Sequence, residues 1–254
     1  MGKLIKYEWK KQRTSRMVIF AMLAVGILAF IWGMIFDDEN VNAAGIIVVL
    51  MFSMSFLVLL YTGIESILVL NRDLRTKQSY MLWMVPKSIW EILGSKFISA
   101  ILQMFVVFAS FVAAGCICLG VAVVRYGGIR AIFEGVQMFM QKVLEIHVAW
   151  GDVIVFAFLF FIAWAEVIFI GFLAVIMART VLLRSRFAGL VAVILFFVLN
   201  YAVEKGLSLL HCIPAFADVR SLAGWNPLDI VYYVLVCLVM FGVSGWVADK
   251  KLSV

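Results

Sequence analysis

Side chains able to carry out chemistry are few in this sequence, and they are scattered along it. Neither of the two histidines, His147 and His211, has a metal-ligating partner at helical spacing. The four cysteines show no zinc-binding spacing, so they are interpreted as small packing residues. The sequence therefore predicts no metal site and no catalytic residue.

Nucleotide-binding and hydrolase motifs are also missing from the sequence. It contains no H-E-x-x-H, no G-x-S-x-G and no P-loop lysine motif. We therefore expect the chain not to be an enzyme and to hold no cofactor of its own. Any ATP and Mg²⁺ that drive its function would be bound by another polypeptide.

Two acidic residues stand inside long apolar runs. A charge at the bilayer centre costs about 2.5–3.5 kcal/mol on insertion scales, so each raises a functional hypothesis. Glu166 lies near the middle of its run and is interpreted in two ways: as a substrate contact or proton site, or as a protonated or hydrogen-bonded group that fixes helix packing. Glu65 lies near one end of its run and is expected to reach the membrane interface.

Composition shows which elements must position these residues. The chain has 254 residues, of which 66% are hydrophobic and 14% are charged, against roughly half and a quarter in soluble domains. The apolar residues form long runs without the alternation of β-barrel strands. The sequence thus predicts an all-α polytopic membrane protein forming a single transmembrane domain. Its six predicted spans are Met17–Phe36, Gly45–Leu70, Phe97–Val124, Val153–Ala178, Phe187–Val203 and Leu228–Ala248.

The basic residues predict the orientation of these spans. Of the 21 Lys and Arg residues, 16 fall in the N-terminal segment, the second and fourth loops and the C-terminal tail. Since cytoplasmic loops carry the excess of basic residues, both termini are expected in the cytoplasm of a cell-membrane protein. Contact of the basic residues with membrane lipid at the cytoplasmic surface then explains the net charge of +6, and no nucleic-acid partner is required to explain it.

Three segments outside the spans have structure of their own in this interpretation. Residues 1–16 carry a basic stripe at spacings of three and four, which predicts an amphipathic helix in the inner headgroup layer. Residues 125–152 form a long extracellular loop with partly helical apolar spacing. Residues 204–227 contain short apolar pieces broken by Gly and Pro, which fit a re-entrant helix pair held against protein.

The second loop (residues 71–96) contains an apolar segment, Tyr80–Val85, between charged stretches. The segment is too short to cross a bilayer, which needs about 20 apolar residues. Tyr, Trp and Met are common anchors in protein interfaces. We therefore expect this loop to bind a soluble partner on the cytoplasmic side.

The stretch "YMLWMVPKSIWEILGSKF" in this loop resembles the type-2 ABC exporter permeases. Members of that family commonly show a leucine-rich run, then Pro and Ser, then Gly-x-Lys at the start of the third span. The residues that match this pattern are Tyr80, Leu82, Pro86, Ser88, Gly94 and Lys96, whereas Trp83 and Met84 replace smaller residues. The six-span order and the basic N-terminal helix extend the resemblance over nearly the whole chain.

The resemblance implies a permease subunit that works with a separate ABC ATPase subunit and a second permease, as a homodimer or heterodimer. The second loop would be the coupling helix, and its expected ATPase contacts are Tyr80, Leu82, Trp83, Met84, Pro86 and Ser88. The apolar spans favour a hydrophobic or amphipathic cargo, such as a toxic or antimicrobial peptide. Glu166 and Glu65 would then lie in the substrate path or in the helix packing. The alternative is a membrane anchor or receptor-like subunit that binds a cytoplasmic partner without transport.

Overall fold

The computed structural model describes residues 2–36, 41–75, 88–126, 150–182, 187–212 and 227–252. Within these ranges the chain forms seven α-helices and no strand. Six of the helices, α2 to α7, are long and apolar enough to cross a membrane. This confirms the predicted all-α polytopic fold. The helices are α1 (Gly2–Lys11), α2 (Arg13–Phe36), α3 (Val41–Arg75), α4 (Ile89–Tyr126), α5 (Trp150–Val181), α6 (Ala188–His211) and α7 (Pro227–Leu252).

The six long helices follow from the apolar runs, because a helix satisfies its backbone hydrogen bonds internally, as a lipid environment requires. The helices α3 and α4 have 35 and 38 residues, well beyond the 20 or so that a bilayer needs. Both therefore continue into the second loop, α3 to Arg75 and α4 from Ile89. Residues 76–87 between them lie outside the described residues.

The N-terminal helix is shorter than the predicted 1–16. It ends at Lys11, and Arg13 already begins α2, so one residue, Gln12, joins the two. Arg16 stabilises the corner: its guanidinium stacks 3.7 Å from the centre of the Trp9 ring, and its Nη2 donates to the Trp9 carbonyl oxygen. The predicted basic stripe is exposed at each of its positions, Lys3, Lys6, Lys10 and Arg13.

The fifth span ends later than predicted. Helix α6 continues past Val203 to His211, so residues 204–211 of the predicted re-entrant helix pair are continuous with the fifth span. Leu207, Leu209 and Leu210 extend its apolar character past the polar pair at 204 and 205. Residues 213–226 and residues 127–149 of the predicted extracellular loop lie outside the described residues.

The chain divides into two compact units. Unit 2 consists of residues 7–62 and 102–149. Its apolar core includes Phe30 and Met34 of α2 and Cys118 of α4, and the partly buried Met51 of α3 packs against them. Unit 1 consists of residues 1–6, 63–101 and 150–254, and its centre is α5, which packs against both α6 and α7. In the apolar part of α5, 67% of the residues are buried, against 28% or fewer in the other spans.

Candidate functional site

The second loop joins two helices of unit 1, the end of α3 and the start of α4. Ser88 lies directly before the start of α4. Its carbonyl oxygen accepts hydrogen bonds from the backbone N–H groups of Glu91 (3.0 Å) and Ile92 (3.2 Å), and its Oγ also accepts from Glu91 N (3.2 Å). Ser88 is thus the N-cap of α4, and the S-I-W-E sequence has the spacing of a capping box. The other expected ATPase contacts, Tyr80, Leu82, Trp83, Met84 and Pro86, lie outside the described residues.

A buried ion pair joins the end of α3 to the first turns of α4, on either side of the second loop. The Lys96 ammonium group in α4 contacts an Asp73 carboxylate oxygen in α3, and both residues are buried. A buried pair of this kind contributes little net stability, but removing one partner commonly costs about 3–5 kcal/mol, because a buried charge is left behind. The pair therefore fixes where α3 ends relative to the start of α4.

A second polar contact joins the same region to the central helix. Arg179, near the end of α5, donates from Nε and Nη2 to the Oδ1 of Asn71 in α3, at 3.0 and 2.7 Å. Asn71 and Asp73 are two residues apart, so the last turns of α3 are held both by α4 and by α5. We call this end of unit 1, where α3 ends and α4 begins, the loop end.

Sequence reasoning missed this polar network. Lys96 was counted among the basic residues that predict orientation and in the Gly-x-Lys match. Arg179 was counted only among the basic residues, and Asn71 and Asp73 were given no role. A signal was available, because Asp73 is an acid within a basic loop. Its basic partner, Lys96, lies 23 residues further along the chain, in the following helix α4.

Aromatic side chains of α4, α5 and α7 pack together near this polar network. Trp90, in the first turn of α4, contacts the Phe241 ring of α7 edge to face, with centroids 5.8 Å apart. Gly245 of α7 lies against the Trp90 ring, and a Cβ at that position would overlap the ring carbons. The Phe97 ring of α4 packs in turn against Phe169 (4.4 Å) of α5 and Phe241 (5.1 Å).

The two intramembrane acids occupy different environments. Glu166 is 3% exposed, and its Oε1 has no hydrogen-bond partner among the residues that the structure describes. Glu65 is half-buried in α3. Helices α3 and α5 pack closely beside both acids, since Gly63 faces Ile168 and Gly171 faces Ile67. The burial of Glu166 fits either interpretation of its role made from the sequence.

At the opposite end of unit 1, α6 and α7 are joined by polar contacts. The Nε2 of His211 lies 2.8 Å from Oδ1 of the buried Asp229. One turn further on, the Tyr232 hydroxyl donates to the Val203 carbonyl oxygen at 2.7 Å, beside Gly206. We call this the His211 end. Among the described residues, no group of three or more His, Cys, Asp or Glu side chains has an arrangement that would hold a metal ion.

These features define a multi-pass α-helical membrane protein whose second loop is tied to a buried central helix. Beyond that class, comparison with known proteins adds nothing: no protein-family model, no curated protein and no solved structure matches the chain.

Proposed function

We propose that this chain is the transmembrane permease subunit of an ATP-driven exporter of the type-2 ABC class. It would move a hydrophobic or amphipathic substrate, with toxic or antimicrobial peptides as the favoured class, out of the cell. A separate ATPase subunit would bind ATP and Mg²⁺ and would contact the second loop from the cytoplasm. A second permease would complete the translocation path.

The observation that carries this proposal is the double attachment of the second loop. The end of α3 is bound to α5 through the hydrogen bonds between Arg179 and Asn71. It is also bound to the start of α4 through the ion pair between Asp73 and Lys96. A force that displaces the end of α3 would therefore act on α5 through Asn71 and on α4 through Asp73. Such a linkage is what a coupling element needs, because the work of ATP hydrolysis must reach the spans.

The apolar faces of the helices support the choice of cargo class. Large apolar side chains are exposed along α2, α3, α6 and α7, and they include Trp32, Leu57, Phe197 and Leu238. Ion and sugar pathways are lined by hydroxyl, amide or charged groups instead. Apolar faces of this kind suit contact with lipid and with a hydrophobic or amphipathic substrate.

The deciding experiment is purification of the tagged chain from native membranes in mild detergent, followed by mass spectrometry. We expect a P-loop ATPase to co-purify, and we expect candidate amphipathic peptides to stimulate its activity after reconstitution in vesicles. A multi-pass protein with the same tag is the control for non-specific capture. An ATPase that binds but is never stimulated by cargo would favour the alternative of a non-transporting anchor, and the absence of any ATPase would contradict the proposal.

A further inference from the structure

Glu166 lies deep inside unit 1. Thirteen residues separate it from Arg179 at the loop end, which corresponds to about 20 Å along a helix. Sixteen residues separate it from Trp150 at the start of α5, or about 24 Å. The carboxyl group is therefore near the middle of the span, 3% exposed, with one oxygen that no described donor reaches.

Among the residues that the structure describes, no Lys, Arg or His side chain forms an ion pair with Glu166. Helix α3 packs on this part of α5 through Gly63 and Ile67, and α4 packs on it through Phe97, all of which are apolar. Glu65 lies between Gly63 and Ile67 in the sequence and is half-buried in α3. Other titratable groups within electrostatic range of Glu166 are Glu204 of α6 and three residues of α7, which are Tyr232, Tyr233 and Cys237. An isolated buried carboxylate is so costly that such a group normally becomes neutral.

Aromatic rings pack on the loop-end side of Glu166. Towards the loop end, the Phe97, Phe169, Phe172 and Phe241 rings pack together with centroid distances of 4.4 to 5.1 Å. This ring cluster contains no group that could accept or donate a proton. Buried hydroxyl groups also lie in this half of unit 1, on Ser66 of α3, Ser95 and Ser99 of α4 and Ser244 of α7.

Towards the His211 end, one face of α7 carries a row of polar groups. Asp229, Tyr233 and Cys237 are spaced four residues apart, and Asp229 and Tyr233 are buried. Both Asp229 and Glu166 are within electrostatic range of the Tyr233 hydroxyl. At the head of the row, Asp229 contacts His211, whose side chain is 36% exposed. The row thus begins at a group that solvent can reach and continues along α7 into the buried part of unit 1.

We propose that Glu166 is a proton-binding site and that it exchanges its proton with the solution at the His211 end, along the Asp229–Tyr233 face of α7. The proton leaves a carboxylic acid O–H bond and is passed between acceptor oxygens, so no other reactant is consumed. All the groups in this proposed route are residues of this chain. Its test does not depend on an ATPase partner, and its failure would leave the proposed export function untouched.

The first experiment asks whether Glu166 holds an exchangeable proton. A hydrophobic carbodiimide adds to protonated carboxyl groups in apolar surroundings, and mass spectrometry of the digested protein locates the adduct. We expect Glu166 to be labelled and the labelling to decrease as the pH is raised, with no adduct at position 166 in Glu166→Gln. Labelling that does not change with pH would overturn the proposal.

The second experiment asks by which side the proton arrives, and it also covers the case in which the carbodiimide cannot reach the site. Infrared spectroscopy detects the carbonyl band of a protonated carboxylic acid, and the band that is missing in Glu166→Gln is assigned to Glu166. The shift of this band is then followed over time after transfer to D₂O. We expect Tyr233→Phe to slow the shift of this band roughly tenfold, as about 1.4 kcal/mol added to the barrier would do.

The matched control is Ser244→Ala, because Ser244 is buried on the same helix but on the loop side of Phe241. It should leave the exchange rate unchanged. Slower exchange in Ser244→Ala together with wild-type exchange in Tyr233→Phe would place the access route at the loop end and refute the proposed direction. Absence of the band from the wild-type protein would show that Glu166 holds no proton.

Discussion

Arg179 and Asn71 are 108 residues apart in the chain, yet Arg179 donates two hydrogen bonds to a single oxygen of Asn71, at 3.0 and 2.7 Å. The guanidinium group offers its donors in a rigid planar arrangement, which restricts the relative position of α3 and α5 more than a single flexible ammonium group would. The contact lies two residues from Asp73, whose carboxylate contacts Lys96 of α4. Three helices of unit 1 are therefore held together at the loop end by four polar side chains.

Replacing Arg179 by Lys should weaken this attachment while keeping the charge. The ammonium group cannot reproduce two donors from one plane, and a hydrogen bond to a charged group contributes about 1.5–3 kcal/mol. We expect Arg179→Lys to lower the midpoint of thermal unfolding of the purified protein in detergent. Arg125→Lys, the same change at an exposed position of α4, is the control and should have little effect. Equal midpoints for both variants would show that the Asn71 contact does not hold the helices.

The contact between Trp90 and Gly245 gives a second prediction with a control on the same helix. A methyl group at Gly245 would overlap the Trp90 ring, whereas a methyl group at Gly242 would meet nothing within 4 Å. Overpacking commonly costs about 1–3 kcal/mol. Replacing Gly by Ala in an open helix position stabilises by about 1 kcal/mol. We expect Gly245→Ala to lower the unfolding midpoint and Gly242→Ala to leave it unchanged or raise it.

A double-mutant cycle tests the cause of that difference. If the overlap with Trp90 is responsible, Trp90→Leu should cost less in the Gly245→Ala background than in the wild type, with a coupling free energy of roughly 0.5 kcal/mol or more. Strictly additive effects would mean that the Gly245→Ala variant is destabilised by something other than the ring.

Particular residues show why the fold was predictable and the polar contacts were not. The six spans could be predicted because an apolar run long enough to cross a bilayer has few alternatives to a helix. Ser88 and Glu91 could also have been recognised, since a capping box is local in sequence. The contact between Asn71 and Arg179 depends on how α3 and α5 pack, and that packing leaves no local pattern. The end of α6 was misplaced because Glu204, Lys205 and Gly206 resemble a helix end.

The distribution of Lys and Arg predicts that residue 77 faces the cytoplasm and residue 38 faces the outside. We expect a cysteine at Asp38 to react with a membrane-impermeant maleimide in intact cells, and a cysteine at Lys77 to react only after permeabilisation. Cys116 and Cys212 are exposed, so both should first be replaced by Ser. Labelling in the reverse pattern would show that both termini lie outside, and it would remove the basis for a cytoplasmic ATPase contact.

The proposed ATPase contact gives the last prediction, and Trp83 is its most informative residue. Truncating a buried interfacial aromatic residue commonly costs about 2 kcal/mol, or roughly 30-fold in affinity. We expect Trp83→Ala to reduce co-purification of the ATPase subunit, or to uncouple ATP hydrolysis from export, while the chain still inserts into the membrane. Trp32→Ala is the control for co-purification, because Trp32 is 67% exposed in α2 and lies outside the second loop.

A competing explanation is that Trp83 lies in the headgroup layer as a membrane anchor, where Trp is common. Photocrosslinking from position 83 distinguishes the two. Adducts with the ATPase subunit, lost when the ATPase is depleted, would support the coupling contact. If position 83 captures lipid but never the ATPase, and Trp83→Ala leaves hydrolysis coupled to export, then the second loop meets its partner elsewhere. Ser88 would not substitute for Trp83 in this test, because its side chain caps α4 and its loss would disturb the helix start itself.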